Sequence, residues 1–163
     1  MHDAAFQWVR QQVERLGPFT SVLDIGARNI NGSVHGLFAG AVYEGVDIEP
    51  GDGVDCVCDA TKWVPAGPYD VVVCCEVFEH CAGWPLIVEH AAKVLMDRGV
   101  VLITAAGPGR GPHSAGDGGP LRDGEFYCNV DPVALRVVLE GVGLFGVEID
   151  VSNPGDVYAV AHH

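Results

Sequence analysis

Apolar residues along this chain switch repeatedly between the helical period of 3.6 and the patterns typical of strands. The first predicted helix covers residues 3–16 and places its apolar side chains on one face: Phe6, Val9, Val13 and Leu16. Residues 69–75 form an almost wholly apolar run, as expected of a central parallel strand that is buried on both faces. This alternation predicts βαβ units and a parallel sheet.

Six more strands and three more helices complete the prediction. With the central strand, the strands cover residues 21–25, 41–48, 54–58, 69–75, 100–105, 145–151 and 157–161. The later helices cover residues 31–39, 85–96 and 132–140. Residues 153–156, Asn-Pro-Gly-Asp, are a strong hairpin signal between the last two strands. We therefore predict one α/β domain over residues 1–163, a doubly wound, mainly parallel sheet of about seven strands that ends in an antiparallel hairpin, with helices on both faces.

Two connections carry no periodic pattern. Residues 61–68 are too short and too rich in Pro and Gly for a crossover helix, so we predict a loop with one turn. Residues 107–122 are also rich in Gly and Pro, and a loop of this length inside a domain is usually functional. Because it follows the fifth strand at the carboxyl edge of the sheet, we predict a substrate lid that is mobile without ligand.

The composition restricts the partners of the chain. The formal net charge of −13, from 22 acidic and 9 basic residues, disfavours a nucleic-acid partner. No stretch has the layout of a signal peptide and no apolar run could span a bilayer, so we expect a cytoplasmic protein. The six cysteines lack the C-x-x-C spacing of a zinc site, and we expect them to stay reduced, most of them as small buried apolar residues.

Residues 22–32 carry the first chemical signal. Asp24 stands near the end of the predicted first strand, and Gly26 lets a ligand approach the backbone before the chain turns towards a helix. Arg28 occupies the second glycine position of the dinucleotide fingerprint G-x-G-x-x-G. This disfavours NAD, because its pyrophosphate needs close approach to the backbone. A cofactor without phosphates fits the loop better.

Three further segments place polar residues at the ends of predicted strands or just after them. Asp47 lies 21 residues after Gly26, where a carboxylate accepts both ribose hydroxyls in nucleoside-binding α/β proteins. Asp59-Ala60 follows the third strand, where a carboxylate can accept a hydrogen bond from the adenine amino group. The fourth segment, residues 69–80, joins the central strand to the sequence Glu-x-x-Glu-His.

Together these four segments resemble the class I S-adenosylmethionine-dependent methyltransferases, and the resemblance extends to residues 95–99 and the closing hairpin. It implies a Rossmann-like fold with S-adenosylmethionine as cofactor. The implied contacts are Asp24 and Gly26 at the methionine end, Asp47 at the ribose, Asp59 and Ala60 at the adenine, Ile48 against the base, and the backbone around Cys75 at the amino-acid moiety. Capping of a helix or turn is the alternative role of Asp24 and Asp59.

Methyl transfer is an in-line displacement at a sulfonium carbon, in which the protein mainly positions the reactants and excludes water. A general base helps only where the acceptor must lose a proton. We predict His80, just past the central strand, as this base, and His113 as the second candidate. A structural role is the alternative for either histidine.

Glu76, Glu79 and His80 also allow a metal site. If they form a helical turn, they share one face, and two carboxylates with an imidazole suit a divalent metal that holds a hydroxylated acceptor. The spacing E-x-x-E-H also occurs in ubiquinone-pathway O-methyltransferases and in small-RNA 2′-O-methyltransferases, whereas the E-H pair is found in metal-free relatives too. Because the sequence offers no fourth ligand beyond His113, we predict no metal and keep this site as the alternative.

The resemblance therefore implies a methyltransferase that acts on a small molecule rather than on nucleic acid. The alternative is a non-catalytic module that binds S-adenosylmethionine or a nucleotide, or a partner subunit. The small chain leaves its cleft sparsely covered, which favours a large acceptor or a partner chain as cover. NAD-linked oxidoreduction is the third hypothesis, and Arg28 argues against it.

Overall fold

The computed structural model of the protein describes residues 2–163. Three α-helices span Asp3–Leu16 (α1), Trp84–Val94 (α2) and Pro132–Gly141 (α3). Seven strands span Ser21–Ile25 (β1), Val42–Asp47 (β2), Cys56–Val57 (β3), Tyr69–Cys75 (β4), Leu95–Ala106 (β5), Phe145–Asp150 (β6) and Asp156–His162 (β7). Short 3₁₀ helices cover His35–Phe38 and Phe78–His80.

The seven strands form one sheet in the order β3-β2-β1-β4-β5-β7-β6. Strands β1 to β5 pair in parallel, and β7 lies antiparallel between β5 and β6. The predicted fold class, a mainly parallel sheet that ends in an antiparallel hairpin, is confirmed. The chain leaves β1 towards β2 on one side and reaches β4 on the other, so the carboxyl ends of β1 and β4 border a crevice where ligands bind in such sheets.

Helices cover both faces of the sheet, as predicted. On one face Trp8 and Val9 of α1 pack with Phe38 against Val71 and Leu102. On the other face the helices α2 and α3 bury Ile87, Leu135 and Leu139 against the strands. Each fully buried apolar side chain of this size stabilises the fold by roughly 1.5–3 kcal/mol, so both layers hold the strand ends in place.

Some predicted elements differ from those observed. The helix predicted over residues 31–39 is only the four-residue 3₁₀ helix His35–Phe38, and Gly32 and Gly40 flank it with positive φ values. Glycine disfavours helix by about 1 kcal/mol per residue, which explains the short element. The third strand is also shorter than predicted, with two residues.

The end of α2 was predicted two residues too late. The helix ends at Val94, and Leu95 already pairs with Tyr69 in the sheet. Residues 97–99, which separate the predicted helix 85–96 from the predicted strand 100–105, form a bulge inside β5, where Arg98 has a φ of 67° and the register shifts. Pairing with the neighbouring strand therefore overrides the helical period of Leu95 and Met96.

Candidate functional site

A cavity of about 330 Å³ opens at the carboxyl ends of β1, β2 and β4. Its volume falls within the range of roughly 300–1,000 Å³ that is usual for ligand pockets. All the residues predicted to bind the cofactor line it: Asp24, Gly26, Asp47, Ile48, Asp59, Ala60 and Cys75. The two histidines predicted for catalysis, His80 and His113, line it too. The crevice of the sheet thus brings together segments that are far apart in the chain.

The loop after β1 approaches β4 closely at Gly26. This residue has a φ of 86°, and a Cβ atom on it would lie 2.2 Å from Cγ2 of Val77. Its backbone N–H donates to the Val46 carbonyl at 2.8 Å, which fixes the loop against β2. A side chain at position 26 would therefore both strain the backbone and close the crevice.

Asp24 is buried beneath this loop. Its Oδ2 accepts a short hydrogen bond from the hydroxyl of Tyr43. Burial raises the pKa of Asp24 to about 6, although the bond from Tyr43 opposes this rise. The carboxylate caps no helix in the structure, so the alternative role suggested for Asp24 is not observed.

The carboxylate of Asp47 is held by two backbone donors. Arg28 N–H donates to Oδ2 at 3.2 Å, and Glu49 N–H donates to Oδ1 at 3.0 Å. Each oxygen keeps a further lone pair for a ligand. Next to it, the side chain of Ile48 is 68% exposed and forms an apolar rim of the cavity.

Asp59 caps a turn, which was the alternative to its implied contact with the adenine. Its Oδ1 accepts hydrogen bonds from the backbone N–H of Thr61 at 3.0 Å and from the Thr61 hydroxyl at 2.6 Å. Lys62 lies 2.8 Å from Oδ2. The hydrogen bonds from Lys62 and Thr61 lower the pKa of Asp59 to about 2. The carboxylate remains part of the cavity wall, but it is already bonded within its own turn.

At another side of the cavity, three side chains form what we call the histidine cluster: Glu79, His80 and His113. One potential ligand atom from each lies within 4.8 Å of the others. Glu79 is fully buried, and neither of its oxygens receives a well-directed hydrogen bond from residues 2–163. The nearest cationic candidate is His113, whose Nε2 lies 4.0 Å from Oε1. Burial and the charge of Glu76 raise the pKa of Glu79.

His80 is neutral near physiological pH. Burial and the neighbouring His113 lower its pKa to about 4. Its Nδ1 is buried and has no hydrogen-bond partner among the described residues. The ring of Tyr127 packs edge-on against both imidazoles, with centroids 5.6 Å from His80 and 5.0 Å from His113. The cluster can therefore accept a proton or bind a cation through a free imidazole nitrogen.

The helical turn that the alternative metal site would require over residues 76–80 does not form. Glu76 has a φ of 57°, and the 3₁₀ helix begins only at Phe78. The hydroxyl of Thr104 donates to Oε1 of Glu76 at 3.0 Å, while Arg110 lies 3.9 Å from Oε2. Glu76 therefore bonds to β5 at the border of the cavity and lies outside the cluster, so the suggested metal grouping of Glu76, Glu79 and His80 is wrong. His113 takes its place in the cluster.

The β5–α3 loop, residues 107–131, covers part of the cavity. His113, Ser114, Ala115 and Gly118 line the wall, and the side-chain amide of Asn31 donates to the Asp117 carbonyl at 3.2 Å. The chain thus supplies a cover of its own. Sequence reasoning missed Tyr127, because an aromatic residue in a loop without periodicity carries no signal of its contacts.

The cysteines are less buried than expected. No two of them are bonded to each other within residues 2–163. Only Cys74 is buried, Cys128 is exposed, and the other four are intermediate. Cys58 and Cys75 lie where strands end at the cavity, which explains why they remain partly accessible. Five of the six nevertheless belong to or pack against the apolar clusters of the core, so the expectation that most act as small apolar residues is confirmed, although four of these five are only partly buried.

The fold and the cavity together define a class of protein. A mainly parallel sheet with a switch-point crevice, a close glycine turn after β1 and an acid at the end of β2 is the architecture of a Rossmann-like protein that binds a nucleoside cofactor. The chain belongs to the methyltransferase domain family, whose model matches residues 1–149. No curated protein matches the chain in sequence.

Solved methyltransferases share the fold. An S-adenosylmethionine-dependent methyltransferase from Mesorhizobium loti is 11% identical, with a TM-score of 0.73 over 99% of this chain and 98% of that one. The 1,6-didemethyltoxoflavin-N1-methyltransferase of Burkholderia thailandensis, solved with 1,6-didemethyltoxoflavin and S-adenosylhomocysteine, is 14% identical. Its TM-score is 0.71, with 98% of this chain and 78% of that chain covered.

A candidate O-methyltransferase from Nostoc punctiforme is 16% identical, with a TM-score of 0.66. The match covers 98% of this chain and 56% of that one, so the present chain spans just over half the length of this relative. Family and fold together identify the chain as a class I methyltransferase that uses S-adenosylmethionine.

Proposed function

We propose that this methyltransferase acts on a small-molecule acceptor whose nucleophilic atom lies beside His80 and His113. The observation that carries the proposal is the cavity itself, because it joins a cofactor-sized crevice to the histidine cluster. The cover formed by the β5–α3 loop leaves a confined space that suits a small acceptor. The Burkholderia relative was solved with a small heterocyclic molecule, which supports the same substrate class.

Within this proposal, the cofactor extends along the carboxyl ends of the strands. Asp47 accepts hydrogen bonds from the ribose hydroxyls. It lines the cavity, and each of its oxygens keeps a lone pair besides the one that accepts a backbone N–H. Asp24, Gly26 and the backbone around Cys75 form the methionine end. At the adenine end, Ile48 packs against the base, and Asp59 with Ala60 borders its edge.

For methyl transfer, the protein mainly has to position the acceptor and the cofactor. The acceptor atom forms a bond to the methyl carbon while the carbon–sulfur bond breaks, and the sulfur keeps that electron pair in S-adenosylhomocysteine. Holding the two reactants in line can replace roughly 7–11 kcal/mol of the barrier. A protonated oxygen or nitrogen acceptor also loses a proton, and the neutral imidazole of His80, which lines the cavity, accepts it.

A second candidate role for the cluster is to hold a divalent cation. Glu79 favours it, because its buried carboxyl group receives no well-directed hydrogen bond within residues 2–163, and the charged form of such a group is costly unless a positive charge compensates it. Glu79, His80 and His113 would supply one oxygen and two nitrogens, a set that suits first-row transition ions. Such an ion would orient and polarise a hydroxylated acceptor.

The test combines ligand binding, metal content and turnover. Purified protein is titrated with S-adenosylhomocysteine, analysed for bound metal, and incubated with S-adenosylmethionine and a panel of phenols, amines and heterocycles. Methylated product from a small acceptor supports the proposal. Cofactor binding without turnover on any acceptor supports the non-catalytic module instead. Activity that chelators abolish and a divalent ion restores identifies the cluster as a metal site rather than a proton acceptor.

The location and further partners of the protein are also proposals. We propose that it acts in the cytoplasm, where unpaired thiols such as its six cysteines persist. Within residues 2–163, no helix is both long and apolar enough to cross a membrane. A partner chain that adds to the cover of the cleft stays a prediction.

A further inference from the structure

We propose that Arg28 is a positioning residue for the cofactor ribose. Its ion pair with Glu49 joins the loop after β1 to the loop after β2, and the joined loops hold the Asp47 carboxylate at the cavity wall. We call this pairing of residues 26–29 with residues 47–53 the two-loop clamp. The inference rests on the proposed role of Asp47 at the ribose.

Contacts on both sides of Asp47 connect the two loops. The Arg28 guanidinium forms a short ion pair with Oε2 of Glu49. The backbone N–H groups of the same two residues donate to the two oxygens of Asp47, at 3.2 and 3.0 Å. The ion pair therefore joins the two residues whose amides orient this carboxylate. A shift of either loop would therefore change the orientation of the Asp47 carboxylate.

A second set of contacts extends the clamp beyond Arg28. Asn29 donates through its backbone N–H to the Asp52 carbonyl at 2.8 Å, and through its side-chain amide to Oδ2 of Asp52 at 2.9 Å. A Cβ atom on Gly53 would lie 2.8 Å from the Ala27 carbonyl oxygen, so the two backbones touch there. The loops are thus bonded at several successive points.

The stem of Arg28 packs closely against the second loop. A Cβ atom on Gly51 would lie 2.6 Å from Cγ of Arg28 and 2.8 Å from Cδ. The Arg28 side chain is 23% exposed, whereas that of Glu49 is 63% exposed. Arg28 is thus fixed by packing as well as by charge, and a glycine at this position would supply neither.

The charge of Arg28 also matters to the cavity. Of the lysines and arginines in residues 2–163, Arg28 alone lines the cavity wall, which also carries Asp24, Asp47 and Asp59. Its guanidinium pairs with Glu49, which stands two residues after Asp47, and this opposite charge keeps the second loop close to the first. Arg28 therefore acts through Asp47 and its loop, and the ribose contact itself stays with Asp47.

The test compares two ligands that differ only at the ribose hydroxyls, 5′-methylthioadenosine and its 2′,3′-dideoxy analogue. Binding of each is measured by calorimetry for the wild type and for Arg28→Ala, Glu49→Gln, the double variant and Asp47→Ala. We expect Arg28→Ala and Glu49→Gln each to weaken binding of methylthioadenosine about threefold to tenfold, and the double variant no more than either alone. Binding of the dideoxy analogue should not change, and Arg28→Lys should restore part of the loss.

The matched control is Arg15→Ala, which breaks an exposed ion pair with Glu148 at 2.9 Å, and neither of these residues lines the cavity. Thermal unfolding of each variant confirms that the protein measured is folded. If Arg28→Ala weakens both ligands equally or neither, while Asp47→Ala weakens only methylthioadenosine, the inference about Arg28 fails and the ribose role of Asp47 stands. If Asp47→Ala does not distinguish the two ligands either, the proposed ribose contact itself is wrong.

Discussion

Residues of the same type differ in pKa around this cavity. Burial raises the pKa of Asp24 to about 6, whereas hydrogen bonds from Lys62 and Thr61 lower that of Asp59 to about 2. Burial and the proximity of His113 lower the pKa of His80 to about 4. Environments that separate the pKa values of similar groups are typical of sites that move protons or bind charged ligands.

These shifts have opposite effects on stability. The raised pKa of Asp24 favours the folded state at low pH, and this contribution is lost as the pH rises through 6. The lowered pKa of His80 has the opposite effect. As the pH falls below 6.5, the imidazole becomes protonated in the unfolded chain but not in the folded protein, and this protonation favours unfolding. His80 therefore destabilises the fold between pH 6.5 and 4, although it stays neutral there in the folded protein.

His80 should affect the rate and its pH dependence together. We expect His80→Gln to lower kcat by about 10²–10⁴-fold with little change in cofactor affinity. In the wild type, the acidic limb of kcat/KM should lie near pH 4. His113→Gln should move this limb to higher pH, because it removes a neighbour that disfavours the imidazolium of His80.

The control for these substitutions is His163→Gln, an exposed histidine at the end of the chain. The measurement is a pH series of initial rates with an acceptor found in the panel. An acidic limb near pH 6.5 that does not respond to His113→Gln would contradict a role for His80 as the proton acceptor.

At the scale of elements, the ends of helices and loops depend on a few polar contacts. Asp131 caps α3, since its Oδ1 accepts hydrogen bonds from the N–H groups of Val133 and Ala134 at 3.0 and 2.9 Å. The same residue ends the β5–α3 loop that covers the cavity. Stability of α3 and the position of this cover are therefore linked.

Removal of this cap should destabilise the protein. We expect Asp131→Ala to lower the free energy of unfolding by about 0.5–2 kcal/mol, because two helix amides lose their acceptor. Chemical denaturation of the variant and of Asp97→Ala, an exposed acid in the β5 bulge, measures the difference. A loss no larger than that of Asp97→Ala would show that the cap is not important.

The β5–α3 loop should be mobile only at its tip. Its two ends are anchored, since Gly107 N–H donates to the Gly155 carbonyl at 2.9 Å and Val130 N–H to the Ala106 carbonyl at 2.8 Å. Residues 111–124 lie between these anchors, and Asn31 bonds them across the cleft at Asp117. Backbone amides of the tip should exchange hydrogen quickly in the free protein and more slowly with S-adenosylhomocysteine bound.

Hydrogen-exchange mass spectrometry tests this directly. Asn31→Ala should speed exchange of the tip further, while the anchored ends and β5 stay unchanged as internal controls. Protection of residues 111–124 as strong as that of β5 in the free protein would contradict a mobile lid.

The whole molecule combines a net charge of −13 with a cavity that we propose as the site of a nucleoside cofactor rather than of a dinucleotide. The acidic surface repels phosphate groups at long range, and the loop after β1 carries Arg28 where a dinucleotide needs glycine. Both features act in the same direction and disfavour NAD.

Thermal unfolding should distinguish the two ligands. At a concentration 100 times its Kd, S-adenosylhomocysteine should stabilise the fold by about 2.7 kcal/mol, which raises Tm by several degrees for a chain of this size. NAD at the same concentration should leave Tm unchanged. A larger shift with NAD than with S-adenosylhomocysteine would contradict the cofactor assignment.

The sequence by itself determined most elements and indicated which candidate cofactor residues line one cavity. The spacing of apolar residues indicates which side of each segment is buried. For this reason α1, β1 and β4 were predicted with their observed bounds. Parallel strands bring their carboxyl ends to one edge, so acids that follow strands, such as Asp47, were expected at one cavity. Both inferences need only local pattern and the rules of sheet topology.

Only the tertiary structure decided which side chains meet in the histidine cluster. The positive φ of Glu76 directs it to β5, and the β5–α3 loop brings His113 and Tyr127 against His80. Loops without periodicity carry no record of their path, because their direction depends on turn geometry and on partners distant in the chain. The same reason explains why the pairing of Arg28 with Glu49 was not predicted.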